Sequence, residues 1–141
     1  MMEWSFEGQM EVAQAIANQW GEWMRANGAQ EVIVEVEGVG TRAAVSSQVQ
    51  HQGQWVNSAL PVELVRLGVD LRVAMGCPGG GAWTWARLSM SSSQGYKLVS
   101  DFNYDREPVL DPPYTAQDVA QELEAFPREP NAIPDWMRIG G

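Results

Sequence analysis

Gln30-Glu31-Val32-Ile33-Val34-Glu35-Val36-Glu37, followed by Gly38-Val39-Gly40, decides the architecture of this 141-residue chain. Side chains alternate strictly along it. Val32, Val34 and Val36 fall on one side; Glu31, Ile33, Glu35 and Glu37 fall on the other. A period of two with one apolar and one charged side describes a strand with one buried and one wet face, which belongs to an antiparallel sheet. The glycines supply a turn, and residues 41–50 return as the second strand of a hairpin. His51-Gln52-Gly53 then breaks that strand, with a short extension around Trp55.

Residues 7–26, ahead of the hairpin, carry Val12, Ala13, Ile16, Ala17, Trp20, Trp23 and Met24 at helical spacing, with Gln9, Glu11, Gln14, Asn18 and Glu22 between them. That is an amphipathic helix. Asn27-Gly28 stops it, because both residues tolerate left-handed backbone angles. Residues 61–75 read two ways. Their valines suit a strand, whereas Leu64, Leu67, Leu71 and Met75 suit one helix face. Pro61 at the start and Gly76 past the end favour the helix.

Residues 76–81 form a glycine-rich loop. Residues 82–91 alternate as a strand, 92–95 turn, and 96–104 return, with Tyr96, Leu98, Phe102 and Tyr104 on one face. Residues 105–114 hold three prolines and form a loop. Thr115 caps a last helix with Asp118 three residues on, and Val119, Leu123 and Phe126 form its buried stripe. The tail Ile133-Pro134-Asp135-Trp136-Met137 is apolar enough to dock back. The expected fold is a single α+β domain over residues 1–141, in two layers: an antiparallel sheet of about four strands in two hairpins, packed with helices, in the order α-ββ-α-ββ-α.

Composition narrows the function. Hydrophobic residues make up 45% and charged residues 19%, as in globular and not disordered chains. A net charge of −9 repels phosphate backbones and anionic lipid, so a basic protein partner is favoured over nucleic acid or membrane. One cysteine allows no intrachain disulfide. The N-terminal residues have neither the basic region nor the apolar core of a signal peptide, and no run is long enough for a membrane span. The expected location is the cytoplasm.

Candidate chemistry is sparse. The loop at 76–81 lacks the Gly-Lys-Ser/Thr of a P-loop and precedes a strand, so no helix N-terminus faces a phosphate. His51 and Cys77 lack the third group that orients a catalytic pair, and they do not supply the ligands of a zinc site. Asp101, Asp105, Glu107 and Asp111 form an acidic run without the glycine and terminal glutamate of a calcium loop. No catalytic residue, cofactor or metal is assigned. Trp83 and Trp85 fall on one strand face beside the glycine loop, either as core or, if no helix covers that face, as an exposed binding patch.

A protein-binding edge is the remaining candidate. Nine acidic residues lie from Ser100 onward against three arginines, so this third carries −6 of the total charge. Asp101, Asp105, Glu107 and Asp111, with Tyr104 and Tyr114 as aromatic anchors and Trp83 and Trp85 alongside, form the expected partner-binding set. The competing assignment is a small ligand-binding protein or enzyme that uses the glycine loop, His51 and the Asp101–Asp111 carboxylates.

The chain resembles the YezG-like immunity family of bacterial polymorphic toxin systems. The likeness rests on the opening helix with Ala13-Gln14-Ala15-Ile16, the segment Gly81-Ala82-Trp83-Thr84-Trp85-Ala86-Arg87-Leu88, and above all Tyr96-Lys97-Leu98-Val99-Ser100-Asp101-Phe102-Asn103-Tyr104-Asp105 with Glu107-Pro108. The closing Glu122-Leu123-Glu124-Ala125-Phe126-Pro127-Arg128 and Ile133-Pro134-Asp135-Trp136 extend it over most of the chain. The loop at 77–81 is longer and richer in glycine than in the family. The resemblance implies a non-enzymatic antitoxin, a monomer or weak dimer alone, that neutralises a basic nuclease or NAD-cleaving toxin by covering its active site.

Overall fold

In the computed structural model, which describes residues 6–76 and 79–138, α1 (Phe6–Asn27) buries Ile16, Trp20 and Met24 completely. The indole N–H of Trp20 donates to the Leu64 carbonyl at 3.0 Å, so this buried tryptophan leaves no stranded donor. Gly28 takes φ +67° and ends the helix.

β1 (Glu31–Val39) and β2 (Arg42–His51) pair antiparallel, and Val32, Val34 and Val36 are fully buried, as their alternation requires. The turn between them is Gly40–Thr41, two residues later than the glycine pattern suggests, because Gly38 and Val39 continue the ladder.

The strand count differs from the expectation. Gln52 and Gly53 both have positive φ, at 50° and 79°, and make a two-residue hairpin turn, so the extension around Trp55 becomes a full edge strand, β3 (Gln54–Asn57). With β4 (Trp85–Ser91) and β5 (Val99–Asn103), the sheet has five antiparallel strands in the order β3-β2-β1-β4-β5. The chain therefore reads α-βββ-α-ββ-α.

α2 (Val62–Ala74) confirms the helical reading of residues 61–75. It approaches the sheet closely at Gly68, where an added Cβ would stand 3.2 Å from Val36 and 3.5 Å from Leu88. Both α1 and α2 pack on the valine side of the sheet, around one core. β4 begins three residues later and β5 three residues later than their sequence patterns, since Thr84 sits at a bend and Tyr96 has φ +60°.

α3 (Ala116–Ala125) starts at a capping box in which the Thr115 hydroxyl accepts from the Asp118 N–H and the Asp118 carboxylate accepts from the Thr115 N–H. The tail docks back. Met137 joins Val39, Leu110 and Val119 in a second, smaller cluster, with Tyr114, Leu123, Ile133 and Trp136 around it.

A buried ion pair welds the two clusters. Arg72 of α2 meets Glu122 of α3 at 2.7 Å, with side chains 4% and 0% exposed. Arg72 also donates to the carbonyls of Trp83 (2.8 Å) and Gly38 (3.2 Å), and Glu122 accepts from the Gly40 N–H (2.7 Å). Such a pair adds little net stability over an apolar replacement, but breaking one half costs about 3–5 kcal/mol. Its role is to fix where α3 sits.

Candidate functional site

β5 is the outer strand on one side of the sheet, and the acidic segment leaves from its end. Asn103 begins the turn there: its side-chain oxygen accepts from the N–H groups of Asp105 and Arg106, both at 2.9 Å. Thr84, fully buried at the bend before β4, donates its hydroxyl to the Arg106 carbonyl at 2.6 Å. The Trp136 indole donates to the Asp105 carbonyl at 2.8 Å.

Arg128 organises this corner. Its side chain is 1% exposed, and it donates to the carbonyls of Tyr104 (2.6 Å), Ala82 (2.9 Å) and Ala132 (2.9 Å). Burial pushes its guanidinium below the usual arginine value, and the nearby carboxylates of Glu122 and Asp105 oppose that shift. Arg128 reaches Asp105 at 3.5 Å, but the Asp105 side chain is 75% exposed, so the charge there remains available to solvent.

Residues 106–114 are pinned along their length. The Val109 N–H donates to Glu37 of β1 at 3.3 Å, and Arg106 meets the same carboxylate at 3.6 Å while stacking over Trp85, 4.9 Å from its ring centre. Arg42 of β2 donates to the carbonyls of Pro112 and Pro113 and to Asp118 (3.3 Å). Glu107 accepts a hydrogen bond from the Tyr114 hydroxyl. Burial, and then that bond and charge, push the Tyr114 phenol up to about 12.

The result is a backbone held at several points, with the carboxylates of Asp101, Asp105, Glu107 and Asp111 exposed along it. The aromatic residues expected to join them behave differently. Trp83 is fully buried and packs against Phe102, ring centres 5.7 Å apart. The bend at Thr84 breaks the alternation, so Trp83 and Trp85 do not share a face, and Trp85 is half-buried under Arg106. Tyr104 packs against the main core, and Tyr114 is half-buried against Trp136 at 5.4 Å. None of the four is an exposed anchor. Val109, 78% exposed between Glu107 and Asp111, and Val99, 45% exposed on β5, are apolar side chains that the edge presents.

The residues of the competing ligand site are brought together in part: the glycine loop meets the acidic edge through Arg128, which reaches Asp105, whereas His51 lies apart from both. Among the described residues, Gly79 and Gly80 bridge to Arg128, and Gly79 accepts from the Glu129 N–H at 2.7 Å. A Cβ on Gly81 (φ +77°) would stand 2.5 Å from the Arg128 side chain, so this glycine makes room for the arginine. Cys77 lies outside the described residues. His51 meets Trp23 edge to face, ring centres 6.3 Å apart, on a strand three places from β5, or about 14 Å across the sheet. Among the described residues, no group of three or more His, Cys, Asp or Glu side chains is placed to hold a metal ion. No described helix is long and apolar enough to cross a membrane.

No protein-family model matches the chain, and no curated protein matches it.

Sequence reasoning missed Arg128, Arg106 and Val109. A lone arginine after Phe126-Pro127 carries no motif, although the surplus of glycines at 79–81 is the local signal that something bulky must pass close by.

Proposed function

We propose that this chain is an immunity protein: an acidic, non-enzymatic, cytoplasmic domain that binds one bacterial toxin domain and covers its active site. The observation that carries the reading is the row of exposed carboxylates Asp101, Asp105, Glu107 and Asp111 on a backbone pinned by Asn103, Thr84, Arg128 and Trp136. A preorganised acidic edge loses little entropy on binding and is complementary to the cationic cleft of an enzyme that acts on an anionic substrate, such as a nuclease or an NAD-cleaving toxin. Val109 supplies an apolar contact among the charges. The sequence likeness to YezG-like immunity proteins points the same way.

The test is co-expression with the product of the adjacent gene, followed by kinetics of the purified pair. That product is expected to be harmful alone and harmless with this chain. Asp105→Lys with Glu107→Lys should slow association by roughly tenfold or more at low salt and flatten its salt dependence, because steering acts chiefly on the on-rate. A harmless neighbour, or an unchanged association rate in the double variant, overturns the assignment or its surface respectively.

A further inference from the structure

The sheet has a second edge, and its chemistry is the opposite of the first. From Ala43 to Val62, twenty consecutive residues carry no Asp, Glu, Lys or Arg, in a chain where 19% of residues are charged. The stretch forms most of β2, all of β3 and the entry to α2. β3 is the outermost strand, every residue of it is exposed, and Trp55 (43%) and Val56 (45%) are among the large exposed hydrophobics of the molecule.

Backbone geometry leaves this edge open. The two-residue turn at Gln52–Gly53 makes His51 and Gln54 a hydrogen-bonded pair, so Gln54 and Val56 turn their N–H and C=O toward β2. Alternation then points the N–H and C=O of Trp55 and Asn57 outward. Edges of monomeric proteins are ordinarily blunted by lysine, proline or a bulge. β3 is short, at four residues, but it has none of these, and its register with β2 is unbroken.

We propose that β3 is a self-association edge on which a second copy of this chain docks antiparallel, making a continuous ten-stranded sheet. A two-fold axis through Val56 pairs Trp55 with Asn57 of the second copy and Asn57 with its Trp55, which satisfies all four outward donors and acceptors reciprocally. It also sets the two Val56 side chains together. Among the faces on which two copies could meet, charge selects this one. Two chains of net charge −9 repel wherever charged faces meet, and the uncharged edge is where that repulsion is least. β3 and β5 are four strands apart, about 19 Å, so the two acidic edges end up at opposite poles of the dimer, each free for another protein. The inference does not depend on what that other protein is.

Sedimentation equilibrium of the full chain tests it. Twice the chain mass is expected at tens to hundreds of micromolar, with tighter association at 0.5 M than at 0.05 M salt as screening removes the −9 against −9 repulsion. Val56→Lys places like charges directly opposite each other, and Trp55→Lys, separately, places them diagonally across the seam while removing the exposed indole; each should weaken the dimer roughly tenfold or more, with the far-ultraviolet circular dichroism of the parent. Asp101→Lys, on the other edge, should leave the dimer intact. A parent that stays monomeric at high concentration and high salt overturns the proposal. So does a dimer that survives both lysine variants or is lost with Asp101→Lys.

Discussion

Replacing Arg128 by methionine keeps most of the buried stem and removes the guanidinium that holds the acidic corner. Three backbone carbonyls lose their donor: Ala82, Tyr104 and Ala132. The Arg128–Ala82 bond is enclosed, so stranding that acceptor costs about 1–3 kcal/mol, while the other two are partly solvated and cost about 0.5–1.5 kcal/mol each once water replaces the donor. The lost contact to Asp105 contributes little, because that carboxylate is mostly in water. Relief from burying a cation offsets part of the loss. The expected net destabilisation is about 3 kcal/mol, a large share of the 5–15 kcal/mol typical of a domain. Urea unfolding at neutral pH, followed by tryptophan fluorescence, measures it. Amide exchange supplies the local readout: the N–H groups of Asp105 and Arg106 should open faster than expected from the global change alone, since Arg128 holds the carbonyl immediately before them. A loss below about 0.5 kcal/mol with unchanged exchange at those two amides would refute the claim that Arg128 organises the edge.

Trp20→Ala should cost about 3–5 kcal/mol, because it empties a fully buried site and removes the indole's hydrogen bond to the Leu64 carbonyl; a melting temperature within a degree or two of the parent would show that α1 does not close the core. Tyr114 has a folded pKa raised from 10.0 to about 12, so the stability this group contributes is complete below pH 10 and is lost as pH rises through about 12; Tyr114→Phe should remove the tyrosinate absorbance step near pH 12 and soften that alkaline decline. Asp118 is shifted the other way, first by the Thr115 N–H that it accepts and also by Arg42. Its contribution is complete above its ordinary value of 3.8 and drains as pH falls through the lower folded value. Asp118→Asn should therefore flatten the acid limb of a stability–pH curve, and an unchanged limb would show that other carboxylates set it.

The fold was legible where one period governs a whole segment. Residues 30–37 show strict alternation, and α1 shows a seven-member apolar stripe; both appear in the structure with their buried sides as read. α2 was decided by punctuation, with Pro61 at its N-cap and Met75-Gly76 at its end, since its valines argue for the wrong element. Errors arose where a single residue interrupts a pattern. Gln52 takes a left-handed conformation that its side chain does not advertise, so the break at His51-Gln52-Gly53 is a hairpin turn and the sheet gains a strand. Thr84 sits at a bend before β4, although its carbonyl accepts from the Gly38 N–H and its N–H donates to the Asn103 carbonyl. Such a bend is invisible in an alternating run of Trp, Thr and Ala.

The candidate edge was legible only as charge. Counting acidic residues from Ser100 onward gives −6, but formal charge does not say where each carboxylate points. Glu122 is fully buried against Arg72, and Asp118 is held by the Thr115 N–H and Arg42, so these two acids serve the fold and not the surface. What remains outward at the β5 edge is Asp101, Asp105, Glu107 and Asp111. The partners that separate the two groups, Arg42 and Arg72, come from β2 and α2, far from the acids in sequence. Tertiary pairing, which local pattern cannot report, thus decides which negative charges face solvent. The same reasoning applies to the aromatics. Tyr104, Trp83 and Trp85 flank the acids in sequence, yet packing draws the first two into the core and Arg106 covers the third. The edge therefore presents carboxylates together with the exposed Val99 and Val109, a composition that, on the proposed function, suits fast, salt-sensitive association more than a buried aromatic hot spot.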